Sequence, residues 1–207
     1  MQNWVALFSI AALVAAPTIG YADDGFYEVT VTNLTRGQAF TPILVATHRD
    51  GVMLFEVGKP ASPELAILAE GGDTAPLTAN LEARPEVHDV ITIPGLLAPG
   101  ATVTARVKTK GNFNHLSMAA MLIPTNDGFF ALKNVRGPRD RSSQEHESPA
   151  YDAGSEPNDE LCGNIPGPVC GGEGASPNAG GEGNVHIHAG IHGIGNLVAS
   201  DRDGRNP

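Results

Sequence analysis

From Tyr27 to Asn33 the chain alternates strictly, with Tyr27, Val29 and Val31 separated by Glu28, Thr30 and Thr32. A period of two in β-branched and aromatic residues predicts a strand with one buried face. Pro42–Thr47, Val52–Phe55, Asp89–Ile93, Thr102–Lys108 and Leu116–Ile123 predict further strands, each bounded by turn-forming residues. Two segments break this pattern. Ser62-Pro63 supplies a cap residue and a proline at the first helical position, and Gly71-Gly72 supplies a stop, so residues 62–70 predict a short helix. Thr74-Ala75-Pro76 starts a second helix that runs to Ala83, with Pro85 beyond it. Strands separated by turns, with two short helices inside one connection, predict an all-β fold, an antiparallel β-sandwich rather than a parallel α/β sheet.

Regular periodicity nearly vanishes between Arg136 and Asn184, where Gly, Pro, Ser, Asn and charged residues dominate. This irregular insertion, about residues 136–184, reads as a long Gly/Pro-rich loop. Its Gly171-Gly172-Glu173-Gly174 and Gly180-Gly181-Glu182-Gly183 pieces read as flexible connectors. The chain has two cysteines, Cys162 and Cys170, and both lie in this loop. One intramolecular pairing is available to them, and in an exported chain a disulfide is the expected outcome. Zinc is the weaker reading, because no Cys-x-x-Cys pair or His at finger spacing lies close by.

Export is what the amino terminus predicts. The apolar run Trp4–Ala16 is followed by Gly20-Tyr21-Ala22, with small residues at the −3 and −1 positions, so residues 1–22 read as a signal peptide cleaved after Ala22. The run is shorter than the roughly 20 residues of a spanning helix, and no other segment is long and apolar enough to predict a transmembrane span. Residues 23–207 then form one domain of ordinary size, secreted or periplasmic. With 23 Asp+Glu against 13 Lys+Arg, the net charge is −10. A surface of that sign repels phosphate backbones, so nucleic acid is not an expected partner.

Acidity also concentrates locally. Ile123–Gly128 and Pro149–Glu156 combine carboxylates and amides with glycine and proline. Hard cations such as calcium take six to eight oxygen ligands from this kind of loop. Asp127, Asp152 and Glu156 are the candidate carboxylates, and a solvated acidic loop is the alternative, since the spacing is not that of an EF-hand.

The run Leu116–Leu132 followed by Tyr151-Asp152-Ala153-Gly154-Ser155-Glu156, with Pro42–His48 and Phe55–Ser62 upstream, resembles the spondin amino-terminal domain, in particular its bacterial single-domain branch. The resemblance implies a β-sandwich similar to C2 domains and a calcium ion held by three acidic residues. One belongs to a Pro-x-x-Asp element, here Pro124 to Asp127, and two to a Tyr-Asp-Ala-Gly-x-Asp element, here Asp152 and Glu156. At the last position this chain has Glu where the family has Asp.

A second constellation lies in Asn184–Gly193, where three of the seven histidines fall within seven positions. On a strand, His186 and His188 share one face while Val185 and Ile187 point to the core. A turn at Gly190 brings His192 beside them. Three imidazoles would suit copper or zinc and leave a coordination position open, with His48 as a possible fourth ligand. The plain alternative is a histidine-bearing surface strand. No Gly-x-Ser-x-Gly elbow, phosphate-cradling loop or His-Glu-x-x-His pair is present. Three functional classes follow: an exported, non-catalytic calcium-binding domain for adhesion to or recognition of an unknown extracellular or envelope ligand; a copper- or zinc-binding protein or small metalloenzyme built on the histidines; and a structural envelope protein.

Overall fold

The computed structural model describes residues 24–139, 142–176 and 180–197. The signal peptide expected over residues 1–22 lies outside the described residues. Among the described residues nine strands and two α-helices follow one another as β1 (Asp24–Thr32), β2 (Ala39–Phe40), β3 (Ile43–His48), α1 (Pro63–Gly71), α2 (Ala75–Glu82), β4 (Val87–Ile93), β5 (Thr102–Lys110), β6 (His115–Ile123), β7 (Gly128–Arg136), β8 (Ala150–Asp152) and β9 (His186–Ile187). β1 and β5 pair in antiparallel register from Asp24↔Lys110 to Thr32↔Thr102. The larger sheet runs β4-β3-β6-β7-β8-β9, antiparallel throughout, with β2 attached to β6. The fold is the all-β sandwich the periodicity predicts.

The middle strands of the large sheet, β3 and β6, are buried on both faces, and their sequence says why. In β3, Ile43 and Val45 face a core shared with Val31 and Val107 of the β1·β5 ribbon. The intervening Leu44 and Ala46 face Leu65, Leu68, Leu77 and Leu81 of the two helices. β7 repeats the division, with Phe130 on the ribbon side and Phe129 on the helix side. A strand covered twice has no solvent face to mark with polar residues, which is why β3 and β6 read as nearly continuous apolar runs. β1 and β5, covered once, keep the alternation.

Both helices lie in the β3–β4 connection. Ser62 accepts a hydrogen bond from the Leu65 N–H, and Gly72, in the left-handed region at φ 69°, returns its N–H to Leu68. The start of α2 differs from expectation. Thr74 makes no side-chain cap and bonds instead to Thr92, while the Asp73 carboxylate accepts the Ala75 N–H. Val52–Phe55 is not a strand but a loop in which Val52, Leu54 and Phe55 are buried in the helix-side core while Met53 is exposed. The apolar run there serves packing without ladder partners. Just before β9, Val185 is buried as expected, but Ile187 within it is 53% exposed rather than core-facing, because β9 is a two-residue strand at the edge of the sheet.

The loop 136–184 is less irregular than its composition predicts: it contains β8 and a 3-10 turn at Cys162–Asn164. Cys162 and Cys170 form the expected disulfide. They pack with Ile165, Ile191 and Leu197 in a small apolar cluster separate from the two main cores.

Candidate functional site

Strand register gathers the acidic residues. Gly128 of β7 lies opposite Asp152 of β8, which in turn lies opposite His186 of β9, so one row crosses three strands. Asp127 immediately precedes that row. Its turn is rigid: the Thr125 hydroxyl donates to the Leu122 carbonyl and accepts the Gly128 N–H at 3.0 Å. Asn126 takes the Glu160 N–H on its carbonyl and donates to Asp159.

Asp127 is fully buried, and its two oxygens have different fates. Oδ2 accepts the Ser155 N–H at 2.8 Å, the Glu156 N–H at 3.1 Å and the Ser155 hydroxyl at 3.2 Å. Oδ1 is buried with no partner. Burial, reinforced by the negative charge of Asp152, pushes the Asp127 carboxyl up to about 7. Asp152 is likewise buried, with Oδ1 accepting the Gly154 N–H and Oδ2 accepting Asn158 Nδ2 at 2.7 Å. Gly154 sits at φ 66°, and a β-carbon there would lie 2.4 Å from the Asn184 carbonyl oxygen, so this turn admits only glycine.

Glu156 goes elsewhere. It is 1% exposed, and among the described residues neither carboxylate oxygen has a partner within hydrogen-bond geometry, with the Ser176 side chain near enough only to offset part of the cost of burial. Burial pushes it up to about 7, and the charges that add to the shift belong to Glu70, Asp159 and Glu173. Its backbone N–H is held by Asp127 while its side chain turns toward the carboxyl-terminal end of α1. The three carboxylates named from sequence therefore divide into the Asp127–Asp152 pair and a separate Glu156.

The histidines divide as well. His186 is half-buried, donates from Nδ1 to the Asn184 carbonyl at 3.0 Å, and places the same nitrogen 3.7 Å from Asp152 Oδ1. That backbone bond raises its pKa, with Asp152 and Glu182 adding to the effect. His188 accepts the Gly190 N–H on Nδ1 and lines a small crevice with Thr125, Asn126, Asn158 and Glu160; burial lowers its pKa. His192 is placed through its backbone, since its N–H and those of Gly193 and Ile194 all donate to the Glu160 carboxylate. Among the described residues the three rings do not close into one metal-sized group. The group that does is Asp152, Glu182 and His186, whose ligand atoms lie within 4.8 Å of one another.

His48 stands apart from all of these. It pairs with His115 at the far end of β6, roughly 26 Å from Ile123 at about 3.3 Å per strand residue. It is fully buried, with Nδ1 donating to the Arg49 carbonyl and Nε2 accepting the Ser117 hydroxyl at 2.9 Å. Burial lowers its pKa. A fourth ligand for the histidine cluster would have to lie beside it, and strand length rules His48 out of that place.

Glu182 and Asn158 escaped the sequence reading. Glu182 belongs to a glycine run whose composition suggests flexibility, yet Gly183 N–H bonds to the Gly154 carbonyl at 2.8 Å and Val185 N–H to Lys59. Asn158 Nδ2, which donates to Asp152, is also 3.3 Å from Glu182 Oε1. Asn158 follows the Tyr-Asp-Ala-Gly element closely, whereas no neighbouring motif marks Glu182.

Comparison with curated proteins gives no match. The Spondin_N family matches residues 31–154, a span that includes Asp127 and Asp152 and ends before Glu156, Glu182 and the histidines. With that match covering well over half of its length, the chain belongs to the spondin amino-terminal domain family.

Proposed function

We propose that this protein is an exported, non-catalytic domain that binds calcium between its β6–β7 turn and the loop after β8, and uses the loops so fixed for adhesion to, or recognition of, an extracellular or envelope ligand. Family membership points to an extracellular domain, and the disulfide is compatible with secretion. Among the described residues no helix is long and apolar enough to cross a membrane.

The observation that carries the calcium reading is Asp127 Oδ1, a fully buried carboxylate oxygen with no hydrogen-bond partner, beside a second buried carboxylate. An unpaired buried acceptor is costly, and two neighbouring carboxylates raise that cost by repulsion. A divalent cation relieves both. Asp127 and Asp152 fit such an ion as hard oxygen donors; the Asn158 amide oxygen and loop carbonyls are further donors of the right kind. Glu156 supplies a backbone N–H to Asp127 rather than a ligand to the ion.

Calcium titration of the metal-stripped chain by calorimetry tests this reading. One equivalent should bind to the wild type, binding should be lost in Asp127→Asn, and Glu156→Gln should stay within a few fold of the wild type. At a hundred times the dissociation constant, calcium should stabilise the fold by about 2.7 kcal/mol. Magnesium should do less, because it keeps its waters and demands a compact octahedral shell. Equal calcium affinity in the wild type and Asp127→Asn would remove the reading.

A further inference from the structure

We propose that Asp152, Glu182 and His186 form a second type of metal site in this molecule, a mixed carboxylate–imidazole site for a borderline divalent ion of the zinc class. It shares Asp152 with the calcium reading but does not depend on that reading being right. The ligand atoms of the three residues already lie within 4.8 Å of one another. Zinc bonds of about 2.0–2.2 Å in a tetrahedron hold neighbouring ligands roughly 3.3–3.6 Å apart. Closing the remaining gap takes side-chain rotation alone, since Glu182 is exposed and His186 half-buried, while Asp152 stays fixed in the sheet.

The backbone that presents these groups is set with little freedom. Asp152 and His186 are cross-strand partners in β8 and β9. Glu182 is brought to them because Gly183 N–H bonds to the Gly154 carbonyl, and because Gly154 lacks the side chain that would collide with Asn184. Asn158 Nδ2 lies within hydrogen-bond distance of both Asp152 Oδ2 and Glu182 Oε1, holding the two carboxylates toward one volume. The His186 nitrogen 3.7 Å from Asp152 Oδ1 is Nδ1, which in the metal-free chain donates to the Asn184 carbonyl, so an ion bound here takes Nδ1 and displaces that hydrogen bond.

The donor set decides the metal. Calcium and magnesium take oxygen, whereas an imidazole among the ligands favours zinc, nickel or copper. Two carboxylates and one neutral imidazole balance a divalent charge and leave a fourth position open. Glu182 and His186 both lie beyond the span shared with the family, so the site is built from this chain's own continuation folding back on the family's Asp152.

The test is zinc titration of the full metal-stripped chain, with cobalt as a visible probe of tetrahedral geometry. One equivalent of zinc should bind, and His186→Ala and Glu182→Gln should each weaken it at least tenfold. Both variants should keep the wild-type circular dichroism spectrum and the wild-type response to calcium, which separates this site from the calcium reading. Asp127→Asn should leave zinc binding within a few fold. Zinc affinity unchanged in both His186→Ala and Glu182→Gln would overturn the proposal, and so would an equal loss in His188→Ala, which would move the ion to the neighbouring crevice.

Discussion

The sandwich up to β8 and the segment from Ala153 to Leu197 are held together by different physics. In the sandwich, the middle strands of the large sheet are gripped by apolar side chains on both faces, and Phe129, Leu44, Leu65 and Val107 are almost completely buried. Among its described residues the later segment lends Ala153 and Val185 to the helix-side core and otherwise has the small cluster of Ile165, Ile191 and Leu197 beside one disulfide. Its backbone is fastened instead by carboxylates: Asp127 holds Ser155 and Glu156, Glu160 holds His192 to Ile194, and Glu70 holds Ser176. Where glycine and proline leave little to bury, buried anions take the place of a core. A segment ordered by negative charge is sensitive to whatever neutralises that charge, and a cation at Asp127 and Asp152 belongs to the same economy of forces as the scaffold around it.

The largest effect should come from the sandwich. Phe129 packs edge-on against Phe55 with ring centroids 5.2 Å apart, and its truncation empties the centre of the helix-side core. Phe129→Ala should destabilise the whole fold by about 3–5 kcal/mol in urea denaturation, with one cooperative transition. Next is Glu160, 5% exposed, whose carboxylate satisfies three backbone N–H groups. Glu160→Ala removes their shared acceptor, and because His192, Gly193 and Ile194 are exposed and water compensates in part, the loss should be about 1–2 kcal/mol. That loss should fall on the segment, so proteolysis near residues 190–195 should accelerate while near-ultraviolet signals from the sandwich persist. A global transition indistinguishable from that of Phe129→Ala would erase the distinction between the regions.

A smaller effect should follow pH. Glu156 is raised from 4.5 to about 7 by burial, so in the metal-free protein the folded state holds its proton more tightly than the unfolded chain. Stability from this group is fully present below pH 4.5 and is lost as pH rises through about 7. Asp127 acts in the same direction. Between pH 5 and pH 8 the urea midpoint of the metal-free wild type should therefore fall, and in Glu156→Gln, which cannot ionise, it should fall less. Parallel pH profiles for the two proteins would show that Glu156 is not held as a buried acid.

These differences also explain what could be read in the sequence. Strand period, the Ser62-Pro63 start and the Gly72 stop are local signals, and the elements they mark are present. Asp127 and Asp152 were legible because oxygen-rich turns flank apolar strands and because the family resemblance reaches them. Val52–Phe55 misled because a short apolar run reports burial, and there burial comes without a ladder. β8 and β9 are three and two residues long, too short for any period. Glu182 was hidden in a glycine run whose order comes from hydrogen bonds to Gly154 and Lys59, which are distant in sequence. The direction of the Glu156 side chain depends on the approach of α1, which adjacent residues do not encode.

The central claim is that a cation between Asp127 and Asp152 orders the loops that follow β8. Hydrogen exchange of the metal-stripped chain with and without calcium measures this most directly. The account predicts that calcium slows exchange at the Gly154, Ser155 and Glu156 amides, which donate to the two aspartates, at least tenfold, while β3 and β6 amides change little. Exchange in residues 153–158 that is the same with and without calcium would contradict it.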